Sequence, residues 1–296
     1  MNKKIQTIFL VLIIAVALSI SVGASELELE NVLNIAQASF ENDLGKIELH
    51  FLDVGQGDST LVILPNGKTM LIDAGTRDSG ATVVSYMKSL DISKIDYLVM
   101  THPDADHIGG MSKVIDNFEI GSIYMTDMIS TTKTFEDLLL KIESKDLKIT
   151  TLKVNDTISE FDDCKVILLS PIKKYDDSNE MSLVIQTTYR NNTFLLMGDA
   201  GTKVENDILN SNVNINADLI KIGHHGSRYS SSGKFIKKVS PLFAIISVGK
   251  NNQYGHPTNK TLETLNIFGV KIYRTDELGH IIAISDGNFI NITNKN

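Results

Sequence analysis

The segment THPDADHIGG, residues 101–110, holds two imidazoles and two carboxylates in six consecutive positions. The segment follows the apolar run YLVM, residues 97–100, which predicts a buried strand. Neutral imidazole and carboxylate both suit zinc, manganese or iron as ligands. A rigid strand that ends just before them would aim their side chains into one cleft, so the spacing predicts a metal site. The four residues are His102, Asp104, Asp106 and His107.

Further acids and imidazoles follow other predicted strands. Asp73 ends the run MLID, Asp199 ends FLLMGD, and His224 and His225 follow LIKI in the segment KIGHHGS. Five or more such groups are too many for one closed tetrahedral site. They fit a pair of divalent ions about 3.5–4 Å apart, bridged by a carboxylate and a hydroxide.

Strand and helix patterns alternate from Lys46 onward. Paired strand-like runs come first and then alternate with helical stretches, twice over. This order predicts two mixed sheets packed together with helices outside, a four-layer α/β arrangement in one domain, residues 46–293. The predicted helices are near 79–90, 110–118, 133–145, 202–210 and 259–268. One hairpin is predicted to turn at Asn66-Gly67 and another at Asn191-Asn192.

The N-terminal segment, residues 1–24, has the pattern of a secretory signal peptide. A basic start precedes an apolar stretch, residues 5–22, and the small residues Gly23 and Ala24. Cleavage after Ala24 would give a secreted protein. An uncleaved segment would form an anchor helix that holds the domain at the outer face of the cytoplasmic membrane. The acidic residues 25–45 are predicted to be a spacer.

The charge of the chain is uneven. The whole chain has 28 Lys and Arg against 36 Asp and Glu, and two of the lysines lie in the leader, so the remaining residues carry a net charge of −10. This charge argues against indiscriminate nucleic-acid binding over the whole surface. Residues 221–260 reverse it locally with seven Lys or Arg and no Asp or Glu, beside the HHGS motif, where they could attract a phosphate backbone. The seven are Lys221, Arg228, Lys234, Lys237, Lys238, Lys250 and Lys260.

A single cysteine, Cys164, narrows the kind of site further. One thiol excludes an internal disulfide and a thiolate zinc cluster. Histidine and carboxylate ligands therefore remain for any metal.

The order of the motifs resembles the metallo-β-lactamase superfamily, in which HxHxDH is the usual metal motif. Here HxDxDHxGG follows a strand, with IDAG before it and GD and then HHGS after it. The fuller set, which includes DVGQGDS, NEMSLVI, YGHPT and YRTDELGH, is similar to the extracellular hydrolase domain of the ComEC competence proteins over residues 46–293. The resemblance implies the αββα sandwich of that superfamily.

The resemblance also implies the metal ligands. His102 and Asp104 would hold one ion, and Asp106 and His107, with one histidine of the HHGS pair, would hold the other. Asp199 would bridge the two ions and act with Asp106 in catalysis.

Other residues would act around the metals. Asp73 would orient the metal loop. We expect His224 to be the ligand and His225 to be a catalytic substrate or proton contact, a choice that the sequence leaves open. His256 is expected to contact substrate or protonate a leaving oxygen, with a structural loop histidine as the alternative. The expected substrate-binding residues are Ser227, Arg228 and Lys234.

Two departures from the superfamily pattern bear on the metal. Asp104 stands where most members have histidine, and no histidine occurs between His107 and His224, so the middle histidine ligand is missing. Harder oxygen ligands shift the preference of the first ion from zinc towards manganese, or leave that ion weakly held. The ComEC-like pattern shares both departures.

The sequence thus predicts a secreted or membrane-anchored dinuclear metallohydrolase of the ComEC-like branch. By resemblance it would be a phosphodiesterase or nuclease on extracellular DNA, with a metal-bound hydroxide as nucleophile and a part in competence. One alternative is hydrolysis of a small phosphodiester, a wall phosphate ester or a lactone. An alternative of another class is a noncatalytic DNA-binding or uptake accessory.

Overall fold

The computed structural model describes residues 45–211 and 213–295. The predicted leader and the spacer up to residue 44 lie outside these ranges. No helix in the described ranges is long and apolar enough to cross a membrane.

The strands are short and follow the alternating apolar patterns of the sequence. They are β1 (Ile47–Phe51), β2 (Thr60–Ile63), β3 (Thr69–Ile72), β4 (Lys94–Met100), β5 (Glu119–Met125), β6 (Ile149–Thr151), β7 (Thr157–Phe161), β8 (Cys164–Ser170), β9 (Val184–Tyr189), β10 (Asn192–Leu196), β11 (Leu219–Lys221), β12 (Phe243–Ile246), β13 (Lys271–Arg274), β14 (His280–Ser285) and β15 (Ile290–Lys295). The α-helices are α1 (Gly80–Ser89), α2 (Ala105–Ile108), α3 (Met111–Asn117), α4 (Lys133–Ser144), α5 (Thr202–Asn210), α6 (Gly233–Val239), α7 (Asn259–Ile267) and α8 (Thr275–Leu278).

The strands form two mixed sheets, as the sequence predicts. The first has the order β15-β14-β1-β2-β3-β4-β5-β6 and the second has the order β13-β12-β11-β10-β9-β8-β7. In the first sheet the pairs from β15 to β3 are antiparallel and those from β3 to β6 are parallel. In the second sheet the pairs from β10 to β13 are parallel and those from β7 to β10 are antiparallel.

Three buried apolar clusters define the layers. The central cluster joins residues of both sheets, such as Phe51 of β1 and Phe194 of β10, so the sheets pack face to face. A second cluster packs α1, α3 and α4 on the outer face of the first sheet, and Met87 and Leu138 lie in it. A third packs α5, α6 and α7 on the outer face of the second sheet, with Phe235 fully buried. The layers are therefore helix, sheet, sheet and helix.

The predicted helices are confirmed to within a residue or two at their ends. The second hairpin differs by one residue, because Asn192 already pairs with Tyr189 and the turn lies at Arg190 and Asn191. Arg190 takes the positive φ of 50° that this tight turn needs. The short strands β6 and β7 were not predicted, since three to five half-exposed residues give little periodicity.

The fold brings the chemical residues together through parallel strands. β3 and β4 run parallel in the first sheet, and β10, β11 and β12 run parallel in the second. Their carboxyl ends lead into the loops that carry Asp73, His102, Asp199 and the HHGS histidines. Ligand sites of α/β sheets form at such ends.

Candidate metal centre

Two short helical turns carry most of the candidate ligands. α2 starts after Asp104, whose side chain makes no capping hydrogen bond to the helix. A single turn at residues 223–226 carries His224 and His225, which take φ values of 49° and 50°. Non-glycine residues in the left-handed region are costly and concentrate at functional sites. This tight turn places the two adjacent histidines beside the opening motif, with His225 Nε2 3.4 Å from Asp106 Oδ2.

The histidines of the opening motif are fully buried with one nitrogen each left free of hydrogen bonds. The rings of His102 and His107 have centroids 4.1 Å apart, and both side chains are 0% exposed. Their Nδ1 atoms are satisfied, but neither Nε2 has a hydrogen-bond partner. Unpaired buried polar atoms are costly, so two such atoms side by side indicate a ligand that the protein itself does not supply.

Asp199 lies at the centre of these free nitrogens. Its Oδ1 is 3.3 Å from His107 Nε2, and its Oδ2 is 3.5 Å from His225 Nε2 and 3.9 Å from His224 Nε2. Oδ1 also lacks a hydrogen-bond partner. A carboxylate with its two oxygens turned to different imidazoles is placed as a bridging ligand would be.

Four overlapping groups of side chains have ligand atoms within 4.8 Å of one another among the described residues. The groups are His102, His107 and Asp199; Asp106, His107 and His225; Asp58, Asp199 and His225; and Asp58, Asp73 and His107. Their imidazole nitrogens and carboxylate oxygens are the donors that zinc, manganese and iron accept. The donor set and its unpaired buried atoms fit the divalent ions that the sequence implies.

The sequence suggested His224 of the HHGS pair as the metal ligand, whereas the geometry favours His225. His225 is buried, and its Nε2 lies 3.4 Å from Asp106 Oδ2 as well as beside Asp199. Its Nδ1 donates to the carbonyl of Ser247 at 2.9 Å, so Nε2 is the free atom. The His224 side chain is 30% exposed, and it belongs to none of the four groups.

Asp104 is more loosely placed than the other predicted ligands. Its side chain is 40% exposed, and its Oδ2 lies 3.8 Å from His102 Nε2. It also belongs to none of the four groups. An ion held at His102 would therefore have in Asp104 a more exposed and less closely placed ligand than Asp106 or His225.

Ser182 stands near the position where the superfamily pattern lacks its middle histidine. Its Oγ accepts the Asp199 amide at 3.0 Å and lies 3.3 Å from His102 Nδ1. Ser182 thus contacts two candidate ligands, His102 and Asp199, and adds no third imidazole to the site.

The buried carboxylates of this cluster favour the protonated, positively charged forms of His107 and His225. Burial lowers the pKa of His225, but the charges of Asp199 and Asp58 outweigh burial and raise it to about 10. The carboxylates of Asp199 and Asp73 likewise raise the pKa of His107 well above its usual range against burial. Burial and the charge of His107 lower the pKa of His102 to about 4. A divalent cation would compete with protons for the same imidazole nitrogens.

Asp73 orients His107 from outside the cluster. His107 Nδ1 donates to Asp73 Oδ2 at 2.8 Å, which leaves Nε2 as the acceptor atom that faces Asp199. Thr101 holds the same carboxylate through its amide at 2.8 Å and its hydroxyl at 2.6 Å. Carboxylate–histidine pairs of this kind fix the ring of a metal ligand. Asp73 itself has a positive φ of 58°.

Asp58 and Lys221 form a buried ion pair that the sequence did not reveal. The sequence predicts Lys221 to be one of the basic residues beside the HHGS motif that could attract a phosphate backbone. Both side chains are 3% exposed, and Lys221 Nζ contacts Asp58 Oδ2 directly. The other oxygen of Asp58 lies 3.4 Å from His225 Nδ1. Lys221 therefore compensates a carboxylate behind the metal cluster and cannot reach a phosphate backbone.

The remaining predicted residues divide by exposure. Arg228 and Lys234 are exposed, whereas Ser227 is buried, and its Oγ accepts the amide of Tyr229 at 3.3 Å. His256 is partly buried, with its ring centroid 5.6 Å from that of His224 and 6.4 Å from that of His225. Its Nδ1 lacks a hydrogen-bond partner.

Comparisons with known proteins identify the family of the chain. A sequence model of the metallo-β-lactamase superfamily matches residues 52–250. ComE operon protein 3 of Bacillus subtilis (strain 168) is 30% identical over 252 residues, which is 79% of this chain and 32% of that protein. Competence protein ComA of Neisseria gonorrhoeae is 30% identical over 230 residues, 77% of this chain and 30% of that protein. The chain thus spans about a third of the length of these relatives.

Two solved structures show the same fold at low identity. CmlA, a diiron β-hydroxylase from Streptomyces venezuelae, superposes with a TM-score of 0.52 at 12% identity, over 77% of this chain and 52% of that one. Zn(2+)-bound PqqB from Methylobacterium extorquens gives a TM-score of 0.51 at 11% identity, over 76% of this chain and 97% of that one.

Proposed function

The chain belongs to the metallo-β-lactamase superfamily, and from this premise we propose that it is a metal-dependent phosphodiesterase that cleaves DNA. The observation that carries the proposal is the set of unpaired buried ligand atoms around Asp199. The relatives named as a ComE operon protein and a competence protein support a role with DNA. The exposed basic residues beside the cluster support a phosphate substrate.

We assign the ligands by their position in the cluster. One ion would be held by Asp106, His107 and His225, and the other by His102 and Asp104, with Asp199 shared between them. This assignment makes His225 the ligand and leaves the more exposed His224 near the substrate. The carboxylate-rich set at His102 favours manganese there, and zinc remains suited to the imidazole-rich set.

Two divalent ions bound here would supply Lewis-acid stabilisation of a phosphodiester and a water of lowered pKa. The protein's own residues would do the rest. Asp199, shared between the two ions, would position the attacking water, and Asp73 keeps His107 turned toward Asp199. His256 lies beside His224, with 5.6 Å between the ring centroids, and would contact the substrate there. Arg228 and Lys234 would hold the phosphates that flank the cleaved bond.

The place of the reaction is proposed from the leader pattern, which lies outside the described residues. A secreted or membrane-anchored chain would act on DNA outside the cell or at the outer face of the cytoplasmic membrane. The four groups of candidate ligands lie within the domain that the structure describes.

The test of function is DNA cleavage by the purified chain from residue 25 onward. End-labelled single-stranded and duplex DNA are incubated with the metal-stripped protein and manganese, zinc or chelator. Asp199→Ala is the inactive control, and Asp127→Ala, an exposed acid outside the cluster, is the matched active one. We expect cleavage that requires metal and vanishes in Asp199→Ala only. Metal-loaded protein that leaves every DNA intact would refute the nuclease, and small phosphodiesters and wall phosphate esters would be tried next.

A further inference from the structure

Two exposed tyrosines stand on the loops that surround the candidate metal centre. Tyr229 is 69% exposed and follows the HHGS motif, and Tyr254 is 59% exposed and lies two residues before His256. Tyrosine usually covers most of its ring with protein. Two such rings near one cleft provide flat apolar faces for a ligand. We call Tyr229 and Tyr254 the aromatic rim.

The backbone beneath Tyr229 is held firmly while its ring stays in solvent. The Tyr229 carbonyl accepts the amide of Thr202 at 2.7 Å, three residues after Asp199. Farther along the loop, the buried carboxylate of Glu205 accepts the amides of Ser231 and Ser232. These contacts tie the loop of Tyr229 to the segment that carries the central candidate ligand. The backbone of Tyr229 is therefore fixed beside that segment, and its ring is exposed to solvent.

Tyr254 is connected to the cluster through stacked rings. Its ring lies 5.9 Å from that of His256 with an angle of 23° between the planes, and His256 lies next to His224. The side chain of Asn252 accepts the amides of both Tyr254 and His256 at 3.1 Å. One face of the Tyr254 ring thus covers His256, which leaves most of the rest of the ring exposed.

The two loops form a single surface. Thr258 donates its amide to the Gly226 carbonyl at 3.0 Å, and Lys260 Nζ donates to the Arg228 carbonyl at 3.0 Å. A Cβ at Gly226 would lie 2.6 Å from Cβ of Pro257, which shows how closely the loops pack. The aromatic rim is therefore held on both sides of this contact.

The charge of the surface points to a polyanion. Arg228 and Lys250 are exposed on the same loops, Lys260 is exposed at the start of α7, and residues 221–260 contain no acid. Exposed aromatic rings alternating with cations are the pattern of proteins that bind single-stranded nucleic acid, in which bases stack on the rings and cations follow the phosphates. In a duplex the base faces are stacked on each other, so the rings could not reach them.

We propose that the aromatic rim binds unpaired bases, so that the metal centre takes single-stranded nucleic acid in preference to duplex. The part of the inference that concerns the metal centre rests on the proposed phosphodiesterase function. Binding by the rim can be measured without cleavage, and the two claims can therefore fail separately.

The experiment compares affinities for labelled oligothymidine with phosphorothioate linkages and for a duplex of equal charge. Fluorescence anisotropy is recorded with the manganese-loaded chain from residue 25 onward, at constant salt. The variants are Tyr229→Ala, Tyr254→Ala and the ring-retaining Tyr229→Phe and Tyr254→Phe. The control is Phe289→Ala, which removes a ring that is even more exposed, at 79%. Phe289 lies beside Gly287, which contacts Asn191 at the opposite end of β10 from Asp199.

We expect each alanine variant to bind the single strand about fivefold to a hundredfold more weakly. The phenylalanine variants and Phe289→Ala should stay within about twofold of the wild type. The preference of the wild type for single strand over duplex should shrink in the alanine variants. Circular dichroism of each variant establishes that the fold is retained.

Three results would overturn the inference. The first is an equal loss of affinity for single strand and duplex. The second is no loss of affinity in either alanine variant. The third is a loss of affinity only for a phosphate-linked wall polymer that is measured in the same way. Cleavage decides the other claim independently. A rim that binds single strands in a protein that cleaves nothing would keep this inference and refute the phosphodiesterase.

Discussion

At the residue scale, Asp199 organises the candidate site. Its amide is held by Ser182 Oγ at 3.0 Å, and its two oxygens face His107 and His225. Burial raises the pKa of this carboxyl, but the charges of His225, His107 and His102 and a hydrogen bond to His107 together outweigh burial and hold it well below the usual range. Asp199 is therefore ionised at neutral pH, as a bridging ligand must be.

The choice between His224 and His225 gives the first prediction. His225→Ala should weaken manganese binding by at least about a hundredfold, because even a residue that only orients a ligand is worth about 10–100-fold. His224→Ala should cost less than about tenfold, since His224 lies at the edge of the cluster. A competition titration against a metal-sensitive dye measures both. A larger loss in His224→Ala would restore the assignment suggested by the sequence.

Asp73 gives the second prediction. Asp73→Asn keeps the shape of the side chain but can present its amide nitrogen to His107 Nδ1, which disturbs the ring that Asp73 now holds at 2.8 Å. Manganese affinity should fall about 10–100-fold. Asp78→Asn, a neighbouring exposed carboxylate, is the matched control and should bind as the wild type does. Equal affinities in the two variants would show that Asp73 does not orient a ligand.

At the element scale, the site depends on a contact between the two sheets. Lys221 ends β11 in the second sheet, and Asp58 lies in the loop that leads into β2 in the first. The same loop approaches α2 closely, because the Asp58 amide donates to the Asp106 carbonyl at 3.2 Å. A Cβ at Gly57 would lie 2.3 Å from that carbonyl oxygen, so only glycine fits there.

Lys221→Met gives the third prediction. It would leave the Asp58 carboxylate buried without its cation, and removing one partner of a buried pair costs about 3–5 kcal/mol of unfolding free energy. Urea denaturation measures the loss. Lys238→Met, on the exposed side of α6, should change stability by less than about 0.5 kcal/mol. The double variant Lys221→Met/Asp58→Asn should recover part of the loss. A single variant as stable as Lys238→Met would contradict the pairing.

The same pair gives a fourth prediction, on pH. Burial raises the pKa of Asp58, but the charges of Lys221 and His225 lower it from 3.8 to about 2. A carboxyl with a lowered folded pKa stabilises the protein above its unfolded pKa, and that stability is lost as pH falls through the folded pKa. The contribution is about 2 kcal/mol and disappears between about pH 4 and pH 2. Asp58→Asn should flatten the acid limb of unfolding free energy against pH. An unchanged limb would contradict this linkage.

At the scale of the whole molecule, the sheets and the location of the cluster could be predicted because they depend on local patterns. Apolar periodicity gives the strands and helices, and polar residues after strands give the loops of the site. The resemblance to the superfamily, and not strand geometry, implied that Asp199 lies beside His107, since β4 and β10 belong to different sheets. The resemblance of the motifs to a known superfamily made the pairing of the two sheets specific.

The parts that could not be predicted depend on contacts between distant segments. Lys221 reads as one more cation in a basic stretch, and only the packing of the sheets buries it against Asp58. His224 and His225 are adjacent, so the turn geometry alone decides which ring enters the cluster. The tyrosines of the aromatic rim carry no local signal, since exposure is a property of the folded surface.

The metal content of the protein tests the central claim most directly. The chain from residue 25 onward is loaded with manganese or zinc, freed of excess metal and measured by elemental analysis, beside Asp199→Ala and the control Asp127→Ala. We predict about two divalent ions per wild-type and control chain and a loss of at least one ion in Asp199→Ala. Well-folded wild-type protein that retains no divalent ion, or an Asp199→Ala variant with undiminished content, would contradict the account.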